Sequence, residues 1–291
     1  MRINEDQFLE RITEDPIDAD GLLRELEALA RCGAVAQAET FARMLEEALA
    51  ERGRTEEALT VLQTRLGWRE PNGEALERAR TRVRELIGDD RERLQLADYA
   101  GFDRPLPPAE AVRRLRILLR LREGVLCHDR TWGAGIVRTL DPIQARVIID
   151  FERREQHAMS LAYAAETLTI LPPGHLLAQW LTNRAELERL AREQPGTVVK
   201  MALRDIGPLT ADQLRDQLCP RLVPETEWKP FWETARKALK KDAEVRLPAK
   251  RNEPLTLRPP DEEPLGDAWF DTLAKTRDLD QLIEQIEAYA E

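Results

Sequence analysis

A short segment with the pattern of β-strands interrupts a chain whose other apolar residues recur at helical spacing. At the start of residues 124–151, Val125, Cys127 and Asp129 alternate with Leu126 and His128, and Gly133 and Gly135 mark a turn around Trp132. A period of two beside a glycine-rich turn is typical of half-buried strands. Further short runs rich in apolar residues span 146–151, 157–161 and 168–171. We therefore predict a five-stranded SH3-like or Tudor-like β-barrel over residues 123–172.

The residues before this segment predict stacked helices. From Leu22 to Ile87 the apolar positions repeat at steps of three and four, which is the period of an amphipathic helix. Glycines, a common helix stop signal, follow four of the apolar stripes, at positions 33, 53, 67 and 88. Because such helices cannot bury their stripes alone, neighbours must stack. We expect a helical bundle or solenoid-like domain over 1–104 and a connecting basic helix over 105–122.

The residues after the barrel predict a second helical block. Asn183 to Glu186 and Thr210 to Gln213 fit the capping-box pattern, in which a side-chain oxygen precedes Glu or Gln by three residues. The expected fold class is therefore mainly α, with the small barrel in the middle of the chain. The predicted segments after the barrel are a helical domain over 173–246, a proline-rich linker over 247–267 and a terminal amphipathic helix over 268–291.

Three aromatic residues, Trp228, Phe231 and Trp232, lie at helical spacing in the second helical block. Such a stripe is typical of a helix face packed in a core. If it were exposed, it would form a partner-binding patch.

Charge is distributed unevenly along the chain. The net charge of −10 disfavours a general DNA coat, yet residues 104–154 hold eleven arginines and six acidic residues, a net charge of +5. This basic region is either a solvated surface or a contact surface for nucleic acid or an acidic partner. No window reaches the roughly 18 consecutive apolar residues of a membrane span, and the first residues lack the apolar run of a signal peptide. We expect a cytoplasmic protein that does not bind membranes.

The sequence contains no recognisable catalytic or ligand-binding constellation. Its three histidines and three cysteines are scattered without the spacing of metal ligands, and no phosphate-binding loop is present. Carboxylate pairs such as Glu46 and Glu47 are expected to be solvated on helix surfaces rather than held in a cleft. We expect no enzyme activity, no catalytic residue, no cofactor, no metal and no small-molecule substrate.

Two motifs resemble known families. Gly124-Val-x-x-His128-x-x-Trp-Gly-x-Gly-Ile-Val137, followed by a strand ending at Phe151, resembles the Tudor-like RNA polymerase-binding module of UvrD/PcrA-type helicases. The wider order of helical region, barrel, helical block with Trp228-x-x-Phe-Trp and proline-rich stretch is similar to the N-terminal extension of long Gre-type transcript-cleavage factors. The resemblance implies polymerase binding. Gre factors place acidic residues at a coiled-coil tip, and no such motif is found here, so we expect no RNA cleavage by this chain.

These patterns together predict a non-catalytic binding module that docks on bacterial RNA polymerase as part of, or beside, a Gre-type elongation factor. The candidate partner-binding residues on the barrel are His128, Arg130, Trp132, Arg138, Arg146 and Phe151. A second candidate surface consists of Trp228, Phe231 and Trp232. Two alternatives stay open: a nucleic-acid-binding module that uses the basic 104–154 region, and a helical-repeat scaffold that binds partners through residues 1–100.

Overall fold

Thirteen α-helices and a small antiparallel sheet make up most of the part of the chain that the structure describes, which confirms the mainly α fold class. The structure is a computed structural model that describes residues 4–70, 74–219, 221–248, 250 and 252–258. The predicted terminal helix over 268–291 and part of the predicted linker over 247–267 lie outside the described residues. The chain divides into two compact units, Met1–Pro172 and Pro173–Glu291.

Seven helices precede the sheet in the first unit. They are α1 (Glu5–Thr13), α2 (Ala19–Arg31), α3 (Val35–Glu51), α4 (Thr55–Leu66), α5 (Ala75–Ile87), α6 (Arg91–Asp98) and α7 (Pro108–Arg120). Asp18 caps α2, because its Oδ1 accepts the N–H of Gly21 at 3.0 Å. Gly53 has a φ of +70° between α3 and α4, a conformation that glycine adopts without a Cβ clash. The glycines predicted from sequence therefore do separate helices.

One continuous hydrophobic core runs through the first unit, from Phe8 of α1 to Leu168. Helix α7 is central to it: Leu115 and Leu118 are fully buried, and the helix packs against α4, α5 and α6 as well as against the sheet region. The helices and the sheet thus bury apolar side chains in one common core. Removing either part would expose core residues of the other.

The core of the helical layer also contains a charged group. Glu46 of α3 is only 1% exposed, and its carboxylate lies 2.7 Å from Nε of Arg65 in α4 and 2.5 Å from Nε of Arg82 in α5. The expectation that the Glu46–Glu47 pair is solvated is therefore wrong for Glu46. Helix α3 turns that side chain toward its neighbours, whereas Glu47 faces solvent.

The sheet has five antiparallel strands in the order β4-β3-β2-β1-β5. The strands are β1 (Leu126–Asp129), β2 (Gly133–Asp141), β3 (Arg146–Phe151), β4 (Arg154–Ser160) and β5 (Thr169–Ile170). Five strands were predicted in this segment, but β4 begins three residues earlier than expected, and helix α8 (Leu161–Thr167) precedes β5. None of the strand pairs described joins β4 to β5, so the closed SH3-like or Tudor-like barrel stays a prediction.

The alternation of side chains places β1 and β2 on the core. Cys127 and Asp129 are buried while Leu126 and His128 are half-buried on the other face. Gly135 lies inside strand β2, opposite Phe151, and not in the turn where the sequence pattern placed it. Because Gly135 has no side chain, the ring of Phe151 can lie close to the backbone of β2.

The second unit has its own core and is built from short helices and a hairpin. Its elements are α9 (Leu176–Thr182), α10 (Arg184–Glu193), α11 (Pro195–Ile206), α12 (Ala211–Leu218), α13 (Trp228–Leu239), β6 (Val245–Arg246) and β7 (Thr256–Leu257). The capping box of Thr210 and Gln213 is confirmed, with reciprocal bonds of 2.9 and 3.2 Å. The one predicted at Asn183 is wrong, because that residue also ends α9 and its side chain makes no cap bond.

Among the described helices, none combines the length and the apolar composition that a membrane span requires.

Candidate protein-binding surface at one end of the sheet

The turn between β1 and β2 is held by a buried carboxylate. Oδ1 of Asp129 accepts the N–H groups of Thr131 and Trp132, at 2.8 and 3.0 Å, and the side chain is 2% exposed. The turn ends at Gly133, whose φ is +82°. Backbone donors at fixed positions satisfy the buried carboxylate, so the turn presents Trp132 in one defined orientation.

The indole of Trp132 packs against residues from the neighbouring hairpin. Its ring centroid lies 4.8 Å from the imidazole of His157, and the guanidinium carbon of Arg154 lies 5.2 Å from the same indole. Nη1 of Arg153 donates to the carbonyl oxygen of Thr131 at 3.0 Å. Arginine over an indole face is a favourable cation–π arrangement.

We call this group the Trp132 cluster and define it as Arg130, Trp132, Arg153, Arg154 and His157. Its three arginines are exposed, and none of them forms an ion pair with a residue that the structure describes. The cluster is therefore a half-buried aromatic group with three arginines, none of which is joined to a described acid by an ion pair. This combination suits an acidic surface of a partner.

The arginines of α7 behave differently, because each bonds to an acidic or amide side chain of the first unit. These contacts are Arg113–Glu110, Arg114–Glu110, Arg116–Gln63 and Arg120–Glu56. The hydrogen bond from Arg113, opposed by burial, lowers the pKa of Glu110. Much of the positive charge counted over residues 104–154 is thus used to hold the helices together.

The remaining sequence-predicted residues lie outside the cluster or beneath it. Phe151 is 3% exposed, and its ring lies 5.9 Å from that of His157, so it supports the cluster from the core. His128 is half-buried on β1, opposite Ala134 of β2.

Arg138 and Arg146 are exposed but lie apart from Trp132. Nε of Arg138 pairs with Oδ2 of Asp150 at 2.6 Å; the pKa of Asp150 is lowered by a hydrogen bond from the backbone of Gln156 and by this contact with Arg138. Arg146 begins β3 and pairs with Ser160, about 17 Å along the strand from Phe151 at 3.3 Å per residue. The structure therefore brings only Arg130 and Trp132 of the predicted set into one exposed group.

Sequence reasoning missed Arg153, Arg154 and His157 as members of the site. The signal that could have found them is the short connection between β3 and β4: Phe151 pairs with Arg154, which leaves only a two-residue turn. Such a tight hairpin places residues 153 and 154 at the same end of the sheet as the turn after β1.

The second predicted surface is mostly packed. Trp228 lies 5.5 Å from Phe231 and 6.0 Å from Trp232 between ring centroids, and the two indoles are nearly parallel at 7°. Phe231 is buried in the core of the second unit, while both tryptophans are partly buried against it.

The chemistry of the described residues gives no support to catalysis at either place. No group of three or more His, Cys, Asp or Glu side chains in the described ranges is arranged to hold a metal ion. Cys127 is buried, and this burial raises the pKa of its thiol to about 12, so the group is a protonated thiol and not a thiolate nucleophile at neutral pH.

Comparison with known proteins finds a family model that matches part of the second unit and several similar bacterial proteins. Residues 177–262 match the family described as the GRAD helix-turn-helix domain. The chain is 31% identical over 149 residues to transcription elongation factor GreA of Chlamydia pneumoniae, a match that covers 50% of this chain and 21% of that protein. It is 30% identical over 148 residues to GreA of Chlamydia trachomatis serovar D, with coverage of 50% and 21%.

A third relative is the putative GreA-associated domains protein of Treponema pallidum, which is 27% identical over 133 residues and covers 45% of this chain and 20% of that protein. The chain thus spans about a fifth of the length of the curated relatives it matches. No solved structure matches the chain. These relatives support the predicted similarity to Gre-type factors over half of the chain, whereas none of them bears on the comparison with UvrD/PcrA-type helicases.

Proposed function

We propose that this chain is a non-catalytic, transcription-associated module that docks on bacterial RNA polymerase, as part of or beside a Gre-type elongation factor. The similarity to two proteins named as elongation factors and to one named as a GreA-associated domains protein supports the transcription role. The proposal places the chain in the cytoplasm, with no cofactor and no small-molecule substrate.

The observation that supports a docking surface is the Trp132 cluster. Tryptophan and arginine are the residue types that most often dominate interface energy. Here Asp129 holds a tryptophan in a turn that also carries exposed arginines, and these form no ion pair with a residue that the structure describes. An acidic patch on the polymerase would be attracted to the arginines, and the indole would supply the apolar contact.

The test is a binding measurement between the full chain and purified core RNA polymerase. Trp132→Ala is expected to weaken binding roughly 30-fold, the effect of losing a hot-spot residue of about 2 kcal/mol. A double variant, Arg130→Gln with Arg153→Gln, is expected to weaken binding and to reduce its dependence on salt. The matched control is Arg84→Gln, an exposed arginine of α5 with no ion pair among described residues.

Two outcomes overturn the proposal. The first is the absence of any binding by the wild-type chain at low salt. The second is equal binding by Trp132→Ala when its thermal unfolding midpoint matches that of the wild type, since this removes Trp132 from the interface.

The contacts described above bear on which residues could carry each of the two alternative functions and on how each function can be tested. Nucleic-acid binding through residues 104–154 would rest on the Trp132 cluster and on the exposed Arg104, Arg122 and Arg146, because the α7 arginines already have partners in the first unit. A scaffold role for residues 1–100 cannot be tested by deleting them, because they share their core with the sheet. Substitutions on the exposed surface of α3 and α5, such as Arg43→Glu, are the suitable test.

A further inference from the structure

The second unit arranges its elements like a helix-turn-helix followed by a β-hairpin. Helix α11 leads to a β-bridge between Leu209 and Leu255, then to α12, to α13 and to the hairpin of β6 and β7. In helix-turn-helix proteins that bind DNA, the second helix of the motif lies in the major groove. In the order of the elements, α13 corresponds to that second helix.

One face of α13 is committed to the core of the second unit. Phe231, Ala235 and Leu239, spaced four residues apart, are buried, and α13 packs on α11. A Cβ added to Gly196 of α11 would lie 3.1 Å from Cβ of Ala238, so the two helices approach closely. The opposite face of α13 is left for solvent or a partner.

That opposite face is strongly basic. From Trp228 to Lys241 the sequence holds five cations and one acid, Glu233, although the chain as a whole carries −10. Four of the cations lie at the C-terminal end of the helix or directly after it, at Arg236, Lys237, Lys240 and Lys241. All four are exposed, and within the described part of the chain none of them has an ion pair.

Other charged residues close to α13 in the sequence or in the fold do form ion pairs. Lys200 of α11 pairs with Asp242 at 3.0 Å and with Glu244 at 2.5 Å, so the acids that follow α13 are already bound to another cation. In the hairpin, Lys250 pairs with Glu253 at 3.8 Å. Among the described residues, these acids therefore leave the four cations at the end of α13 without an ion pair.

We propose that the exposed cations at the C-terminal end of α13, Arg236 and Lys237 of the helix together with Lys240 and Lys241 directly after it, bind the phosphate backbone of duplex DNA. A helix about 10 Å across fits the major groove, which is about 12 Å wide. Lysine and arginine side chains contact phosphates without reading bases, so binding has little sequence preference. This site is separate from the Trp132 cluster, and its test contains no polymerase.

The experiment is fluorescence anisotropy of a short labelled DNA duplex titrated with the full chain. If four phosphate contacts form, raising the salt from about 50 to about 200 mM weakens binding roughly 100-fold. The variant Arg236→Gln, Lys237→Gln, Lys240→Gln, Lys241→Gln is expected to bind at least about 10-fold more weakly at low salt and to lose most of this salt dependence. Lys237→Glu alone serves if the fourfold variant has a lower unfolding midpoint.

The matched control removes four exposed arginines of the first unit that also lack ion pairs with described residues, through Arg31→Gln, Arg43→Gln, Arg84→Gln and Arg91→Gln. It makes the same change in net charge and is expected to leave DNA affinity within about twofold, because none of these four arginines belongs to the proposed phosphate contacts.

Four results overturn the proposal. They are no binding by the wild type at low salt, equal binding by the folded α13 variant, an equal loss in the control variant, and tighter binding of single-stranded DNA than of the duplex. Competition by polyaspartate as strong as that by unlabelled duplex would also overturn it, and would assign the face to an acidic protein.

Discussion

Gly135 of β2 lies opposite Phe151 of β3, and a Cβ added to Gly135 would lie 2.6 Å from Cδ1 of the phenylalanine ring. The same atom would lie 2.9 Å from the carbonyl oxygen of Asp150, which is backbone and cannot move away cheaply. Phe151 in turn contacts His157, on which Trp132 packs. The support of the Trp132 cluster therefore depends on the absence of a side chain at Gly135.

Gly135→Ala is expected to lower the free energy of unfolding by about 2 to 3 kcal/mol, the upper part of the range for overpacked sites. Chemical unfolding followed by circular dichroism measures the effect. Gly174→Ala is the control, because a Cβ there meets nothing within 4 Å and the midpoint should not change. A Gly135→Ala variant as stable as the wild type would show that β2 and β3 are not packed as described.

Glu46→Gln is expected to destabilise the helical layer by roughly 3 kcal/mol, the lower end of the cost of breaking a buried ion pair. Glutamine keeps the shape but leaves Arg65 and Arg82 without their shared carboxylate, and both arginines retain some solvent contact. Glu47→Gln, on the next residue and exposed, changes the net charge equally and should have almost no effect. Thermal unfolding of the two variants side by side decides the matter, and equal midpoints would contradict the buried triad.

The contrast between these two glutamates shows where sequence reasoning reaches its limit. The helical periodicity of residues 22–87 predicts the helices, since burial of an apolar stripe repeats along the chain. It does not predict that Glu46 is buried, because that depends on where arginines of two other helices lie. The same holds at the sheet: alternation predicts the strands, but the meeting of Trp132 with Arg154 and His157 depends on strand register.

Helix α8 was missed for a more local reason. Residues 161–167 are short and alanine-rich, and their start is marked by Ser160, whose Oγ accepts the N–H of Tyr163 at 3.3 Å. This cap is a signal that was present in the sequence. It was not recognised because the flanking residues have the apolar runs of strands.

Asp129→Ala is expected to weaken binding to RNA polymerase through a change in the position of Trp132. The substitution leaves the N–H groups of Thr131 and Trp132 without their acceptor, at a cost of about 1 to 3 kcal/mol. Asp129→Asn keeps an oxygen at the same place and should restore most of the affinity. The intrinsic fluorescence of Trp132 in a variant lacking the other five tryptophans reports the orientation directly. An alanine variant with unchanged emission and affinity would mean that the turn does not depend on Asp129.

The ion pairs of α7 predict a specific loss of stability in acid. The hydrogen bond from Arg113 is the largest cause that lowers the pKa of Glu110, followed by burial, which opposes it, and by the bond from Arg114. A carboxyl whose pKa is lower in the folded state stabilises that state above its unfolded pKa of about 4.3, and this contribution is lost as the pH falls through the folded pKa.

Glu110→Gln should therefore cost about 2 kcal/mol at pH 7, the value of strong hydrogen bonds to a charged group, and progressively less below a pH of about 4.3. Urea unfolding of the wild type and the variant at several pH values measures this difference. Glu123→Gln is the control: this residue is exposed and has no ion pair in the described part of the chain, so its difference from the wild type should stay near zero. A difference for Glu110→Gln that stayed constant from neutral to acid pH would contradict this prediction. It would mean that the contacts with Arg113 and Arg114 do not lower the pKa of Glu110. Arg113 and Arg114 would then be available to a partner, which would strengthen the case for nucleic-acid binding through residues 104–154.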